Sequence, residues 1–204
     1  MKYIQIKKKK YIYFLAFMTV FSSSMYILEL YIPKPFPFIK IGLSNVIVLS
    51  LVFNYFFKEA VIVSFAKSFI GCFMTGVLFT HAFLLSFSGN LLSCLFMIML
   101  KFFLKNTSDL SCPITQAKNN ESEGKVKSSQ NGLSIFGLSI CGSFIHMGTQ
   151  LFIVRIFIIQ SNSILLLYPL IAVSSILAGF ITGLAGYYFN KYMDIRSIYV
   201  EACD

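Results

Sequence analysis

Six apolar runs joined by short polar breaks constrain this chain more than any other feature. They occupy residues 11–32, 41–57, 60–78, 82–104, 133–159 and 164–189, and a helix that crosses a bilayer needs roughly 20 mostly apolar residues. A hydrophobic share of 57% with only 12% charged residues, and a mean hydropathy of +0.77, exceeds what an ordinary soluble domain carries. The expected fold is all-α: a polytopic membrane protein with six transmembrane helices. Runs two and three are parted only by Lys58-Glu59, and runs three and four by Thr80-His81, so these neighbours are expected to be antiparallel.

The formal charge of +9 could point to nucleic acid, but the bases stand at the ends of apolar runs, where they set topology. With the N-terminus inside, all but four of the 17 basic residues fall on the cytoplasmic side; the exceptions are Lys34, Lys40, Lys67 and Arg155. No nucleic-acid partner is expected. The lysine-rich start with Ser22–Ser24 imitates a signal peptide, yet the apolar run continues to Ile32 without a small-x-small site, so it reads as a retained first span. The organisation expected is a basic cytoplasmic stretch over 1–10, helices one to four over 11–105 with an external elbow at 29–45, a flexible cytoplasmic linker over 106–132, helices five and six over 133–189, and a cytoplasmic tail over 190–204. Both termini then face the cytoplasm from an inner or plasma membrane. Cys72, Cys94, Cys112, Cys141 and Cys203 show no CxxC and no metal spacing, so neither a metal nor a cofactor is expected.

The elbow, Glu29 to Asn45, is where polar residues and prolines interrupt this pattern. Pro33, Pro35 and Pro37 alternate, and each removes a donor and pushes its predecessor toward extended geometry. Lys34 and Lys40 flank them, and Gly42 opens the next run. Polar groups at membrane depth are costly and so mark candidate sites. Glu29 near the end of the first run either clamps Lys40 or faces a ligand. Lys67 in the third run needs carbonyls, water or an anion. In the fifth run Ser139, Ser143, His146 and Gln150 follow at spacings of four, three and four, on one helical face. At 1.5 Å per residue His146 lies about 20 Å and Gln150 about 26 Å from the cytoplasmic start, level with the elbow. Glu29, Asn45, Asn90, His146 and Gln150 are therefore candidates for an outward-facing substrate pocket. The structural alternative for the histidine is a hydrogen-bonded packing residue. Arg155 lies on the opposite face of its helix.

Small residues recur at four-residue spacing in the sixth run (Ser175, Gly179, Gly183) and the third (Ser64, Ser68, Cys72, Gly76), and Ala16, Thr19 and Ser23 form a shorter stripe in the first. Such stripes let another backbone approach. They pack helices within the bundle or, for Ala16, Thr19 and Ser23, offer a docking face to a partner membrane protein.

The residues Glu29, Ile32, Pro33, Pro35, Pro37, Lys40, Gly42, Leu43 and Asn45 together resemble the signature of the Gx transporter family, also named heptaprenyl diphosphate synthase component I. The resemblance continues through Lys58-Glu59-Ala60, residues 71–79, Ser88-Gly89, Leu91-Leu92-Ser93, Gly137-Leu138-Ser139, Gly142, His146, Gln150, Gly179 and Thr182-Gly183, and covers about residues 14–188. Lys67 stands where the family usually has arginine, the string at 146–150 departs from the usual one, and the 106–131 linker is long. The family is similar to the substrate-binding S components of energy-coupling factor (ECF) transporters. That likeness implies six helices, an external site, and a lid made by the elbow residues Pro33, Pro35, Pro37, Lys40 and Gly42.

The leading functional expectation is a subunit that captures a small nutrient or precursor from outside. The chain has no G-x-x-x-x-G-K-[ST] phosphate loop, so ATP-driven uptake requires separate ATPases and an ECF-type coupling subunit. The second expectation is a non-catalytic membrane partner of a soluble prenyl diphosphate synthase subunit. Asp109, Asp194 and Asp204 are not clustered, so this chain lacks the paired aspartates that would hold magnesium against diphosphate, and no catalytic residue is assigned. An ion-coupled secondary carrier working through Glu29 is the third.

Overall fold

The computed structural model describes residues 2–31, 42–110, 134–157, 166–193 and 195. All regular structure among them is helical: α1 (Lys2–Tyr31), α2 (Asn45–Phe53), α3 (Phe57–Met74), α4 (His81–Leu110), α5 (Ile135–Phe157) and α6 (Tyr168–Tyr192). The helices joined by the short breaks pack on one another, α2 on α3 and α3 on α4. The elbow prolines Pro33, Pro35 and Pro37, Lys40, and most of the expected linker lie outside the described residues.

The outer helices follow one another as α1, α3, α4, α5 and α6 around α2, which touches all five. The arc closes where the Phe21 ring of α1 stacks on Phe189 of α6 at 5.8 Å. Seven of the nine residues of α2 are buried, from Val46 to Val52, because this helix is apolar on every side and is surrounded by protein.

The structure supports six helices, and length and composition separate them into two groups. Among the described residues four helices are long and apolar enough to cross a membrane: Tyr11–Glu29 within α1, Phe83–Leu104 within α4, Ile135–Phe157 and Tyr168–Tyr192. At nine residues α2 is about 14 Å long and cannot cross alone. The 18 residues of α3 include Lys58, Glu59 and Lys67. The stop after α2 is a Schellman turn. Tyr55 adopts φ 67°, with Tyr55 N–H bonded to Val52 O at 3.1 Å and Phe56 N–H to Leu51 O at 2.9 Å. Lys58 and Glu59 accordingly sit in the first turn of α3, where an acid suits the helix dipole.

Two helices extend past the ends of their apolar runs. The α4 helix runs to Leu110, into the expected linker, since no glycine or proline intervenes before Pro113. In the expected tail, α6 continues to Tyr192 and Ile195 is buried in the core.

Polar side chains are buried among the apolar core, while large apolar side chains face outward. Ser22, Ser50, Lys67, Ser68 and Ser175 have no exposure at all, whereas Phe17, Val20, Phe73, Phe103 and Phe152 are each more than half exposed. Water would oppose that distribution and hydrocarbon favours it, so the protein is embedded in a membrane. Small residues make the close approaches. A Cβ on Gly179 would stand 2.6 Å from Ile140 Cα, and one on Gly183 3.0 Å from Phe136 Cδ1, so the α6 stripe packs on α5.

A polar site at the start of the central helix

Residues 42–45 form the turn that leads into α2, and three other helix positions grip it. Gly42 has φ 82°, a left-handed conformation that glycine adopts without steric cost. Its N–H donates to Glu29 Oε1 at 2.7 Å. Ser44 O accepts from Ser22 Oγ at 2.8 Å and from Lys67 Nζ at 3.1 Å, and Lys67 Nζ also donates to Asn45 Oδ1. The turn closes on itself through Asn45 N–H to Gly42 O at 2.8 Å.

Glu29 thus fastens the end of the elbow through a backbone N–H, a partner that no spacing rule pointed to; Lys40 lies outside the described residues. Lys67 found the carbonyl its position called for, and in addition the Asn45 side chain.

On the far side of α2 the α4–α5 seam is tight. A Cβ on Gly89 would stand 2.9 Å from His146 Nδ1 and 3.3 Å from Gln150 Cγ, so the histidine packs directly on the α4 backbone. His146 Nε2 lies 3.2 Å from Gln150 Nε2. An amide nitrogen only donates, so with the amide in this orientation Nε2 accepts and Nδ1 carries the ring proton. One turn along the seam Ser93 Oγ donates to Gly142 O at 2.7 Å.

Between α2, α4, α5 and α6 lies a cavity of about 10 Å³, lined by Asn45, Leu49, Ser93, Met97, Ser139, Gly142, Ser143 and Thr182. That volume is on the order of a single water. Ser139 Oγ donates to Gly179 O at 2.7 Å and lies 2.6 Å from Thr182 Oγ1, which ties α5 to α6 at the cavity wall.

Of the five candidate pocket residues, Asn45 lines the cavity. Glu29 holds Gly42 beside Asn45, and the Gly42 position is also within 3.5 Å of Thr182. His146 and Gln150 sit on the α4–α5 seam, one and two turns beyond Gly142 and Ser143. Asn90 faces elsewhere: its Nδ2 donates to Ser68 Oγ at 2.8 Å and its carbonyl accepts from Ser64 Oγ at 3.2 Å, which makes it a link between α3 and α4. The face predicted from Ser139 to Gln150 is real but divided, its serines walling the cavity and its histidine and glutamine sealing the seam.

In the expected docking stripe Ala16 is exposed, while Thr19 and Ser23 are buried. Their hydroxyls bond their own helix, at Leu15 O (2.8 Å) and Thr19 O (2.9 Å). Sequence reasoning missed Ser93, four residues after Gly89, as a wall residue. It also missed the joint at Tyr26, whose hydroxyl accepts from Ser86 Oγ at 3.1 Å and lies 3.5 Å from Cys72 Sγ. A Cβ on Gly71 would stand 2.4 Å from the Tyr26 ring, and a glycine opposite a tyrosine in neighbouring spans was the available signal. Among the described residues no group of three His, Cys, Asp or Glu side chains could hold a metal ion.

A family model described as heptaprenyl diphosphate synthase component I matches residues 18–119 and 125–189. No curated protein and no solved structure matches the chain.

Proposed function

The chain belongs to the heptaprenyl diphosphate synthase component I family, and from that premise we propose that it is a membrane subunit that captures a small nutrient or precursor for uptake by an ECF-type energising module. The observation that carries this reading is the polar cavity at the start of α2, enclosed by a bundle whose outer surface is apolar. A hydroxyl- and amide-lined chamber inside a membrane bundle costs stability unless it serves a ligand or a path. Its neighbouring turn is tied to Glu29 near the end of α1, which supports a link between that end of the elbow and the chamber.

In this reading the substrate enters from the outer side, where the elbow acts as lid, and binds against Asn45 with His146 and Gln150 at the seam above. A cavity the size of one water is the closed state, and loading requires α4 and α5 to part at Gly89 and His146. ATP hydrolysis and coupling belong to separate subunits. The exposed side of α1 around Ala16 is the first surface to examine for the coupling subunit.

The family description favours a second reading, in which this chain is the non-catalytic membrane partner of a soluble prenyl diphosphate synthase subunit. Native mass spectrometry of the gently purified protein separates the two. A retained small molecule together with an ATPase-bearing complex supports capture. Co-purification with a prenyl synthase, and a change in its product chain length on adding this chain, supports the second. A bare chain that binds no water-soluble vitamin, metal ion or isoprenoid precursor and no coupling subunit overturns the first.

A further inference from the structure

The wall chemistry of the cavity narrows the class of ligand, an inference that rests on the capture reading. Three wall hydroxyls have their protons engaged: Ser93 donates to Gly142 O, and of Ser139 and Thr182, 2.6 Å apart, one donates to the other while the second donates to a backbone carbonyl, Gly179 O or Ala178 O. They therefore turn lone pairs to the cavity. Asn45 is different. An ammonium group can only donate, so the contact of Lys67 Nζ with Asn45 Oδ1 fixes the amide with its oxygen toward Lys67 and its nitrogen away. That nitrogen lies on the Gly42 side, 3.6 Å from where a Gly42 Cβ would stand, and among the described residues it has no hydrogen-bond partner.

The charged and titratable groups around this point are few. Lys67 is fully buried behind Asn45. Glu29 is the nearest acid and is held at Gly42 N–H rather than in the cavity wall. Glu59 accepts from Tyr11 at the other end of α3 (3.2 Å), His146 lies on the seam, and Cys94 is buried on α4. No carboxylate lines the cavity.

We propose that Lys67 is a positioning residue that holds the Asn45 amide with its nitrogen on the Gly42 side of the cavity, so that the site takes a small oxyanion-bearing molecule at Asn45 and disfavours cations. The remainder of such a ligand meets acceptors at Ser93, Ser139 and Thr182, and so carries hydroxyl or N–H donors.

The test uses the full chain with its five cysteines replaced by serine and a single reporter, Ser143→Cys or Thr182→Cys. The probes are 2-sulfonatoethyl and 2-(trimethylammonio)ethyl methanethiosulfonate, with modification rates taken relative to those of a free small thiol. The anionic probe is expected to be favoured about tenfold or more, since one charge at this depth is weakly screened. Lys67→Arg should keep that preference and Lys67→Gln should abolish it. Should Lys67→Gln not fold, Asn45→Asp replaces it: a carboxylate paired with Lys67 removes both the donor and the net charge, and the preference should vanish. Faster reaction with the cationic probe, a preference indifferent to Lys67→Gln or Asn45→Asp, or no reaction with either probe in the folded protein overturns the proposal. An intact preference in a chain that retains no small molecule would instead sink the capture reading and leave the charge selection standing.

Discussion

Replacing Glu29 tests the tie between the elbow and the central helix. Its carboxylate is 3% exposed and accepts the Gly42 N–H at 2.7 Å. A hydrogen bond to a charged partner contributes about 1.5–3 kcal/mol, and a neutral one about half of that. Glu29→Gln keeps an acceptor and loses the charge, a cost of about 1 kcal/mol. Glu29→Ala strands the Gly42 donor and costs about 2–3 kcal/mol. At roughly 2–4 °C per kcal/mol for a chain of this size, melting should fall by about 2–4 °C for the glutamine and about 4–12 °C for the alanine.

The chain has no tryptophan, so unfolding is best followed with a thiol-reactive fluorogenic maleimide in a background with Cys112, Cys141 and Cys203 replaced by serine, where it reports exposure of the buried Cys72 and Cys94. Ligand retention is measured on the same samples. The clamp predicts that retention falls in step with melting, alanine below glutamine. Equal damage from both variants would show that the charge acts on something other than Gly42. Lost retention with unchanged melting would show that Glu29 touches the ligand directly, and the reasoning from the hydrogen bond would be refuted.

Other perturbations exploit the close approaches between helices. Gly179→Ala puts a Cβ 2.6 Å from the Ile140 backbone and should cost at least about 2 kcal/mol by overpacking, whereas Gly148→Ala has nothing within 4 Å and should be neutral or stabilising by up to about 1 kcal/mol; thermal melting of the pair checks both. Gly89→Ala displaces the His146 ring, a side chain that can yield, so ligand retention should drop several-fold while melting changes less than in Gly179→Ala. At the opposite end of the bundle, Asn54 Nδ2 donates to Asn190 Oδ1 at 2.6 Å and Asn190 Nδ2 to Ser50 Oγ at 3.0 Å. A double-mutant cycle of Asn54→Ala and Asn190→Ala, read by denaturation in detergent, should give a coupling of about 1 kcal/mol; additivity would show that this latch is idle.

How much of this was legible depends on what kind of signal each feature sends. Helix count and pairing came from apolar periodicity and short breaks, which act locally. The polar face of α5 came from spacing alone, and Ser139, Ser143, His146 and Gln150 do share it. The partners of those residues are set by helix arrangement, which spacing does not carry. Asn90 has the same credentials as Asn45 in the sequence, but α4 turns it to Ser68 while the α2 turn places Asn45 at the cavity. The Glu29 bond goes to a backbone N–H, a group every residue except proline offers, so no residue type could have announced it.

The central helix shows what hydropathy alone does not distinguish. An apolar side chain gains as much from a protein interior as from lipid, so the run around α2 reads like the run of any other span. What separates them is the distance between stops: the helix runs only nine residues, from Asn45 to the cap at Asn54, and Tyr55 accepts a left-handed backbone while its ring covers the Lys101 ammonium at 4.9 Å, as Phe53 does at 4.4 Å. A left-handed tyrosine costs about 1–2 kcal/mol, which this cation–π pair offsets in part. The outer helices meet lipid with one face and each other with small residues, but α2 meets only protein. Its apolar sides slide against neighbours with little directional preference, and its polar attachments are confined to its ends, Lys67, Ser22 and the Glu29-held Gly42 at one and Asn190 at the other. Under the proposed function, a ligand at Asn45 would act on a helix that touches all five others, so a shift of α2 would be the shortest route from cavity occupancy to the outer surface.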